Sequence, residues 1–421
     1  MYGKVLVGWV VVSVHRGRWF GCIAIVFVTH WLSSQCDAAD WPRYRGPSND
    51  GVSSERRWLV EWPQAGPPVA WRTDVGIGYS SVVISQNRLY TMGNRDNVDT
   101  VFCLDATSGE QLWTHDYECP TDANEFEGGP TATPTVDRDS VYTLSRVGDL
   151  FCFDAKTGAV KWRVNVPEVT AVRTPGWGFS SSPWVTEELV IVNVGDAGVA
   201  LSTADGSVQW TSADKDAGYS SFVPFVQDGE SCLIFGSARS YVCVNARTGV
   251  EKWRQRWLTT FGCNAANALI VKDRVFLSSG YNRGSALLEI QDGKPVILWK
   301  HKSFQTQLAS SLMINGLLYG ANGAVSEGAS LTCMRLEDGE VLWEAKDEKV
   351  GGLTAAGNHL ITISEDGWLK VILANAKGPR TVSQFRVLDE QCWTVPVLCD
   401  GRIYCRGASG GLVCLDVRLQ N

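Results

Sequence analysis

Residues 149–162 read DLFCFDAKTGAVKW: an apolar alternation, an Asp four positions before a Thr-Gly turn, and a Trp four positions after it. The frame recurs as FCLDATSGEQLW (102–113), ALSTADGSVQW (200–210), VCVNARTGVEKW (242–253) and TCMRLEDGEVLW (332–343). LLEIQDGKPVILW (287–299) holds two additional residues, and VILANAKGPRTVSQF (371–385) keeps the frame with Phe385 in place of Trp. Together with Trp71, the anchors stand at 71, 113, 162, 210, 253, 299, 343 and 385, between 42 and 49 residues apart. A constant period of this length marks a tandem array of one supersecondary unit.

Each unit divides into four short apolar alternations, as in TATPTV (131–136), VYTLSRV (141–147), DLFCFDA (149–155) and VKWRVNV (160–166). Alternation with period two predicts half-buried strands, and the intervening Gly and Asp residues predict turns. One four-stranded unit cannot cover both of its faces, so neighbours must do so. A closed ring of blades satisfies all of them and leaves short edges. The ends predict closure: RIYCRGASGGLVCLDV (402–417) stops before any Trp strand, while VAWRTDV (69–75) is a Trp strand with no blade ahead of it. The expected fold is therefore all-β, an eight-bladed propeller of four-stranded antiparallel blades, closed by pairing N- and C-terminal strands. It spans residues 69–421, after a lead-in at 40–68.

Residues 1–39 have another character. Lys4, Arg16 and Arg18 precede the apolar run WFGCIAIVFVTHWL (19–32), and small residues lead to Asp40. A basic start, a short apolar stretch and small residues describe an export signal, with cleavage expected near Ala38 or Ala39. The expected location is the periplasm or cell envelope. Membrane association is expected only if Cys36 is acylated or the signal is retained. The chain carries a net charge of −7 without a long run of either sign, which argues against a nucleic-acid partner.

On its small residue, Asp, Thr-Gly turn and docking Trp, as in CLDATSGEQLW and CFDAKTGAVKW, the chain resembles the pyrroloquinoline-quinone (PQQ) repeat family over residues 69–417. The lead-in DWPRYRGPSNDG (40–51) is similar to that of exported propellers of this kind. The resemblance implies an eight-bladed propeller, either a quinoprotein dehydrogenase or a non-enzymatic BamB-like assembly factor. It further implies that Trp71, Trp113, Trp162, Trp210, Trp253, Trp299 and Trp343 each dock on a neighbouring blade's Gly turn. Quinoprotein dehydrogenases are understood to need a vicinal Cys-Cys pair and a calcium held by acidic and amide groups. This chain has no adjacent cysteines and no Cys-x-x-Cys-His. No cofactor is therefore expected, and a PQQ-dependent dehydrogenase holding quinone and calcium is the alternative reading.

The repeats also separate scaffold from candidate site. The column four before the turn Gly holds Asp105, Asp154, Ser202, Asn245, Glu289 and Arg335, too varied for a catalytic acid and suited to a turn former. Cys103, Cys152, Cys243, Cys333 and Cys414 share another column, expected as small core residues. Cys392, Cys399 and Cys405 leave room for one bridge. The hydroxyl residues opening the inner strands, in Tyr79-Ser80-Ser81, Phe179-Ser180-Ser181, Tyr219-Ser220-Ser221 and Trp393-Thr394, recur and read as channel packing.

Two connections are private to single blades: DYECPTDANEFEGGP (116–130) and VPEVTAVRTPGWGFSS (166–181). Both run from an outer strand to the next inner strand and should share one rim of the channel. They offer Asn124, Glu125, Phe126, Glu127, Arg173 and Trp177 as the candidate ligand face. No catalytic or metal residues are expected. The function expected is a monomeric scaffold binding a protein partner of the cell envelope through its rim loops.

Overall fold

The computed structural model describes residues 40–122, 126, 128–213, 216–324 and 327–419. The expected export signal, Cys36 included, lies outside them, as do Asn124, Glu125 and Glu127.

Eight antiparallel four-stranded sheets follow one another along the chain. Blade 1 comprises Val83–Ser85, Arg88–Arg95, Val98–Asp105 and Gln111–Glu118, from inner to outer strand. Blade 2 comprises Thr135–Asp137, Ser140–Leu144, Asp149–Asp154 and Val160–Asn165; blade 3 comprises Trp184–Val185, Leu189–Val192, Val199–Ser202 and Val208–Thr211. Blade 4 is Val223–Gln227, Glu230–Gly236, Ser240–Asn245 and Glu251–Arg256; blade 5 is Leu269–Val271, Arg274–Ser279, Gly284–Gln291 and Lys294–His301. Blade 6 holds Leu312–Ile314, Leu317–Asn322, Ser330–Arg335 and Val341–Ala345; blade 7 holds Val350–Ala356, His359–Ser364, Trp368–Leu373 and Arg380–Arg386. Blade 8 is composite. Val397–Cys399, Arg402–Arg406 and Gly411–Asp416 come from the C-terminal end, and the outer strand Val69–Asp74 pairs antiparallel with Gly411–Asp416. The ring thus closes by joining N- and C-terminal strands, as the sequence predicts.

Each seam between blades holds its own apolar cluster. Blades 1 and 2, for example, bury Tyr90, Met92, Cys103, Trp113, Phe151 and Phe153 together. Cys103, Cys152, Cys243, Cys333 and Cys414 are buried thiols, and so are Cys392 and Cys405. Asp154 forms the turn: its Oδ1 accepts the Lys156 and Thr157 N–H groups and the Thr157 hydroxyl, which holds the carboxyl below its usual range. Asn245 does the same with the Arg247 and Thr248 N–H groups.

The indoles lock the seams. Trp113 donates its Nε1–H to the Ala155 carbonyl at 3.1 Å, and its ring lies where a Cβ on Gly158 would stand, 2.6 Å away. Gly158 also has φ +74°, so only glycine suits the turn on both counts. Trp71, Trp162, Trp299 and Trp343 make the equivalent bond to Ala106, Thr203, Leu336 and Asn375. Trp210 covers Gly249, and its Nε1–H has no partner. Trp253 departs from the pattern. Its indole donates to Gln227 Oε1 of its own blade at 3.0 Å, and Gln227 Nε2 is the atom facing Gly293. The two additional residues in the blade 5 hairpin displace the turn, and an amide bridges the gap.

The lead-in is an integral part of the ring. Trp41 pairs with Ile84 of blade 1, the Pro42 carbonyl accepts the Val136 N–H of blade 2, and the Arg43 guanidinium sits 4.9 Å over Trp184 of blade 3. Buried Arg45 donates to the carbonyls of Ser310 (3.1 Å) and Ser311 (2.7 Å) at the entry to blade 6. Val52–Ser53 then adds a fifth, parallel strand to the inner edge of blade 7. Farther on, a Cβ on Gly66 would collide with Phe385, so the lead-in supplies the docking turn for the one blade that lacks its Trp.

Candidate functional site

Strand direction alternates within a blade, so the turns between first and second strands lie on the face opposite the connections between blades. The lead-in occupies the former face: Asp40 accepts the Ser85 hydroxyl and Gln86 N–H, and Glu55 accepts the Asp400 N–H. Tyr44 reaches inward from it and floors a cavity of about 210 Å³ that occupies the channel on the side of the interblade connections.

The walls come from the starts of the inner strands. Their first N–H groups find no partner within the blade and require one. The Ser81 N–H goes to Thr133 Oγ1 (3.0 Å), Thr133 to Ser182 Oγ (3.1 Å), Ser182 to Ser221 Oγ (2.9 Å), Ser221 to Asn267 Oδ1 (2.9 Å), and Asn267 to Ser310 Oγ (2.8 Å). This belt stitches blades 1 to 6 and gives the cavity a small, hydroxyl-rich wall. Ser180, where the notable sequence column also falls, bonds Thr131 rather than joining the belt.

Aromatic residues form the rim in two groups. Trp393 stacks on Tyr79 at 5.5 Å and meets Phe126 edge-on at 5.0 Å. Trp177 meets Tyr219 at 5.7 Å and Phe261 at 5.9 Å, and Phe261 meets Tyr281 at 5.9 Å. Phe126 and Trp177 therefore both line the cavity, from different interblade connections. Arg173 stands away from the lining, 3.3 Å from Asp216, with both side chains exposed. Arg146 and Asp122, which line the cavity, pair at 3.2 Å.

Burial pushes the Cys263 thiol up to about 11 and the Tyr219 hydroxyl up to about 12, so both stay protonated at neutral pH. Among the described residues Asp122 is the one carboxylate in the lining, and it is engaged by Arg146. A calcium-bound quinone needs several convergent oxygen ligands, and this donor set does not supply them. Among the described residues Cys263 is also the one cysteine in the lining, and no vicinal pair faces the channel. The described residues do not fit that cofactor.

Tyr44, Tyr79, Tyr219, Tyr281 and Trp393 were not among the candidates legible as a face. Tyr79, Tyr219 and Trp393 sit beside the recurring hydroxyls, so a channel position was readable for them. Tyr44 carried no such signal, because it enters the channel through the lead-in's path.

Comparison with known proteins agrees with this architecture. A family described as outer membrane protein assembly factor BamB matches residues 97–345. The chain is 24% identical over 372 residues to the outer membrane protein assembly factor BamB of Yersinia pestis, covering 82% of this chain and 88% of that one. It is 23% identical over 381 residues to the factor of the same name in Shewanella oneidensis, with the same coverage of 82% and 88%. Among solved structures, BamB from Moraxella catarrhalis superposes with a TM-score of 0.63 at 15% identity, over 83% of this chain and 99% of that one. A europium-containing methanol dehydrogenase superposes with a TM-score of 0.65 at 13% identity, over 89% and 90%. These structural likenesses speak for the fold.

Proposed function

The chain belongs to the PQQ-repeat family described as outer membrane protein assembly factor BamB, and from that premise we propose that it is an exported, non-enzymatic scaffold for assembly of envelope proteins. Its working face is the cavity mouth, which takes a segment of a protein partner. The observation that carries this reading is the hydroxyl-walled cavity lined by Tyr79, Phe126, Trp177, Tyr219, Tyr281 and Trp393, and by the chain's own Tyr44. Aromatic rims of this kind contribute large contact area at low conformational cost. The basic and apolar composition of residues 1–32 supports export to the cell envelope.

The test is cross-linking in the native envelope. A protein partner should be recovered with the parent chain, and Trp177→Ala combined with Phe126→Ala should reduce its yield about tenfold or more, the loss typical of an interface anchor. Undiminished capture by the double variant, with folding intact, would place the partner elsewhere. Incubating the protein with PQQ and calcium addresses the dehydrogenase alternative: saturable chromophore binding with dye-linked alcohol oxidation would displace the scaffold reading.

A further inference from the structure

The connections between blades are electrically divided in sequence. The described part of the connection 116–130 holds Asp116, Glu118 and Asp122 and no Lys or Arg. Across the ring, residues 255–268, 278–285 and 299–311 hold Arg256, Arg283, Lys300 and Lys302 and not one Asp or Glu. In a chain of net charge −7, that is a marked segregation.

These four cations gather at the seam of blades 4 and 5. The Arg283 guanidinium lies 4.0 Å over the fully buried Trp257 ring, and Lys300 Nζ lies 5.5 Å from its centroid. Arg283 also donates to the Arg256 carbonyl at 3.5 Å, while its Nε has no hydrogen-bond partner. Burial, and then the positive charge of Arg283 and Lys302, draws Lys300 below its usual range. Burial followed by the charge of Arg256 does the same to Arg283. Their mutual repulsion is left standing for an anion to relieve.

An apolar tip rises beside them. Phe261 is 72% exposed and Leu258 is 37% exposed. Phe261 also has φ +60°, a left-handed conformation that a bulky residue adopts at a cost. That backbone holds a large ring mostly out in water. Its edge contacts with Trp177 and Tyr281 support it from beneath.

We propose that this rim of blades 4 and 5 docks on an anionic phospholipid surface, with Arg256, Arg283, Lys300 and Lys302 against headgroup phosphates and Phe261 and Leu258 in the interfacial layer. Cations spread around a protruding apolar tip suit a fluid plane, where attraction to anionic lipid adds to buried apolar area. An acidic polypeptide would instead call for pockets that fix its register. The inference goes beyond the protein-partner reading: its four cations lie outside the cavity lining, and its binding partner contains no protein.

The experiment uses residues 38–421, the compact unit that holds all eight blades and excludes the apolar run at 19–32. The unit is sedimented with vesicles of phosphatidylcholine alone, or with about a third phosphatidylglycerol. Binding should need the anionic lipid and weaken in high salt. Lys300→Glu with Lys302→Glu should lower partitioning about tenfold or more, at roughly fivefold per charge lost near the surface. Phe261→Ser should lower it as well, with the melting temperature unchanged in both. Equal partitioning into neutral vesicles, or none lost on charge reversal, overturns the proposal. So does binding to polyglutamate in place of vesicles, which would assign the rim to an acidic protein. Full competition by glycerol phosphate at matched phosphate also overturns it, in favour of an isolated phosphate site.

Discussion

Asp99 shows how a single residue can set a condition on the fold. It is fully buried in the third strand of blade 1, where Asn94 Nδ2 donates to it at 2.7 Å and the Tyr117 hydroxyl at 3.2 Å. Burial raises its pKa above the ordinary 3.8, and these hydrogen bonds, with Arg146, only partly offset the shift. A carboxyl whose folded pKa is raised binds its proton more tightly in the folded state, so stability falls as pH rises from about 3.8 through the folded value. Asp99→Asn keeps the shape and removes the titration. The variant should gain stability relative to the parent as pH rises from about 4 to about 7, read from urea midpoints across that range. A constant difference would show that Asp99 does not titrate in this window.

The lead-in is the element whose importance is least visible in its own sequence. Residues 40–68 have no repeat partner, yet they touch blades 1, 2, 3, 6, 7 and 8 and close one end of the channel. Arg45 is the fastening: buried, it is bonded to the carbonyls of Asn49, Asp50, Ser310 and Ser311. Removing it strands several buried acceptors, each worth about 1–3 kcal/mol. In Arg45→Met the segment should detach locally before the ring melts. Hydrogen exchange should then accelerate at the Ala355 amide, which donates to the Gly51 carbonyl at 3.0 Å, while the middle strands of blade 2 stay protected. Uniform acceleration throughout the chain would mean that the lead-in and the ring unfold as one unit.

At the scale of the whole molecule, closure is the defining step. Blade 8 joins the two ends of the chain, and Arg406, 1% exposed, bolts it to blade 1. The guanidinium donates to the carbonyls of Ser80 and Gly76 (3.2 Å) and to the Thr91 hydroxyl (2.9 Å), and burial draws its pKa down to about 9. Ending the chain at residue 401 removes this bolt and the strand that pairs with Val69–Asp74. The melting temperature should drop by at least about 4 °C for a loss of several kcal/mol, and the fluorescence of Trp71, now 8% exposed, should shift to the red. An unshifted spectrum with an unchanged melting temperature would show that blade 8 is dispensable.

By itself the sequence determined the repeat, the number of blades, their strand order and the way the ring closes. All of these follow from periodic burial, and burial recurs with the chain. It also singled out Phe126 and Trp177, because residues private to one blade stand out against seven copies that lack them. Only the tertiary structure decided that the lead-in caps one end of the channel, that Tyr44 floors the cavity and that Gln227 bridges the displaced turn of blade 5. It alone brought Arg256, Arg283, Lys300 and Lys302 together around Trp257. The reason is geometric: those contacts join segments with no common period, and their partners are set by how eight twisted sheets converge on an axis that no local pattern encodes.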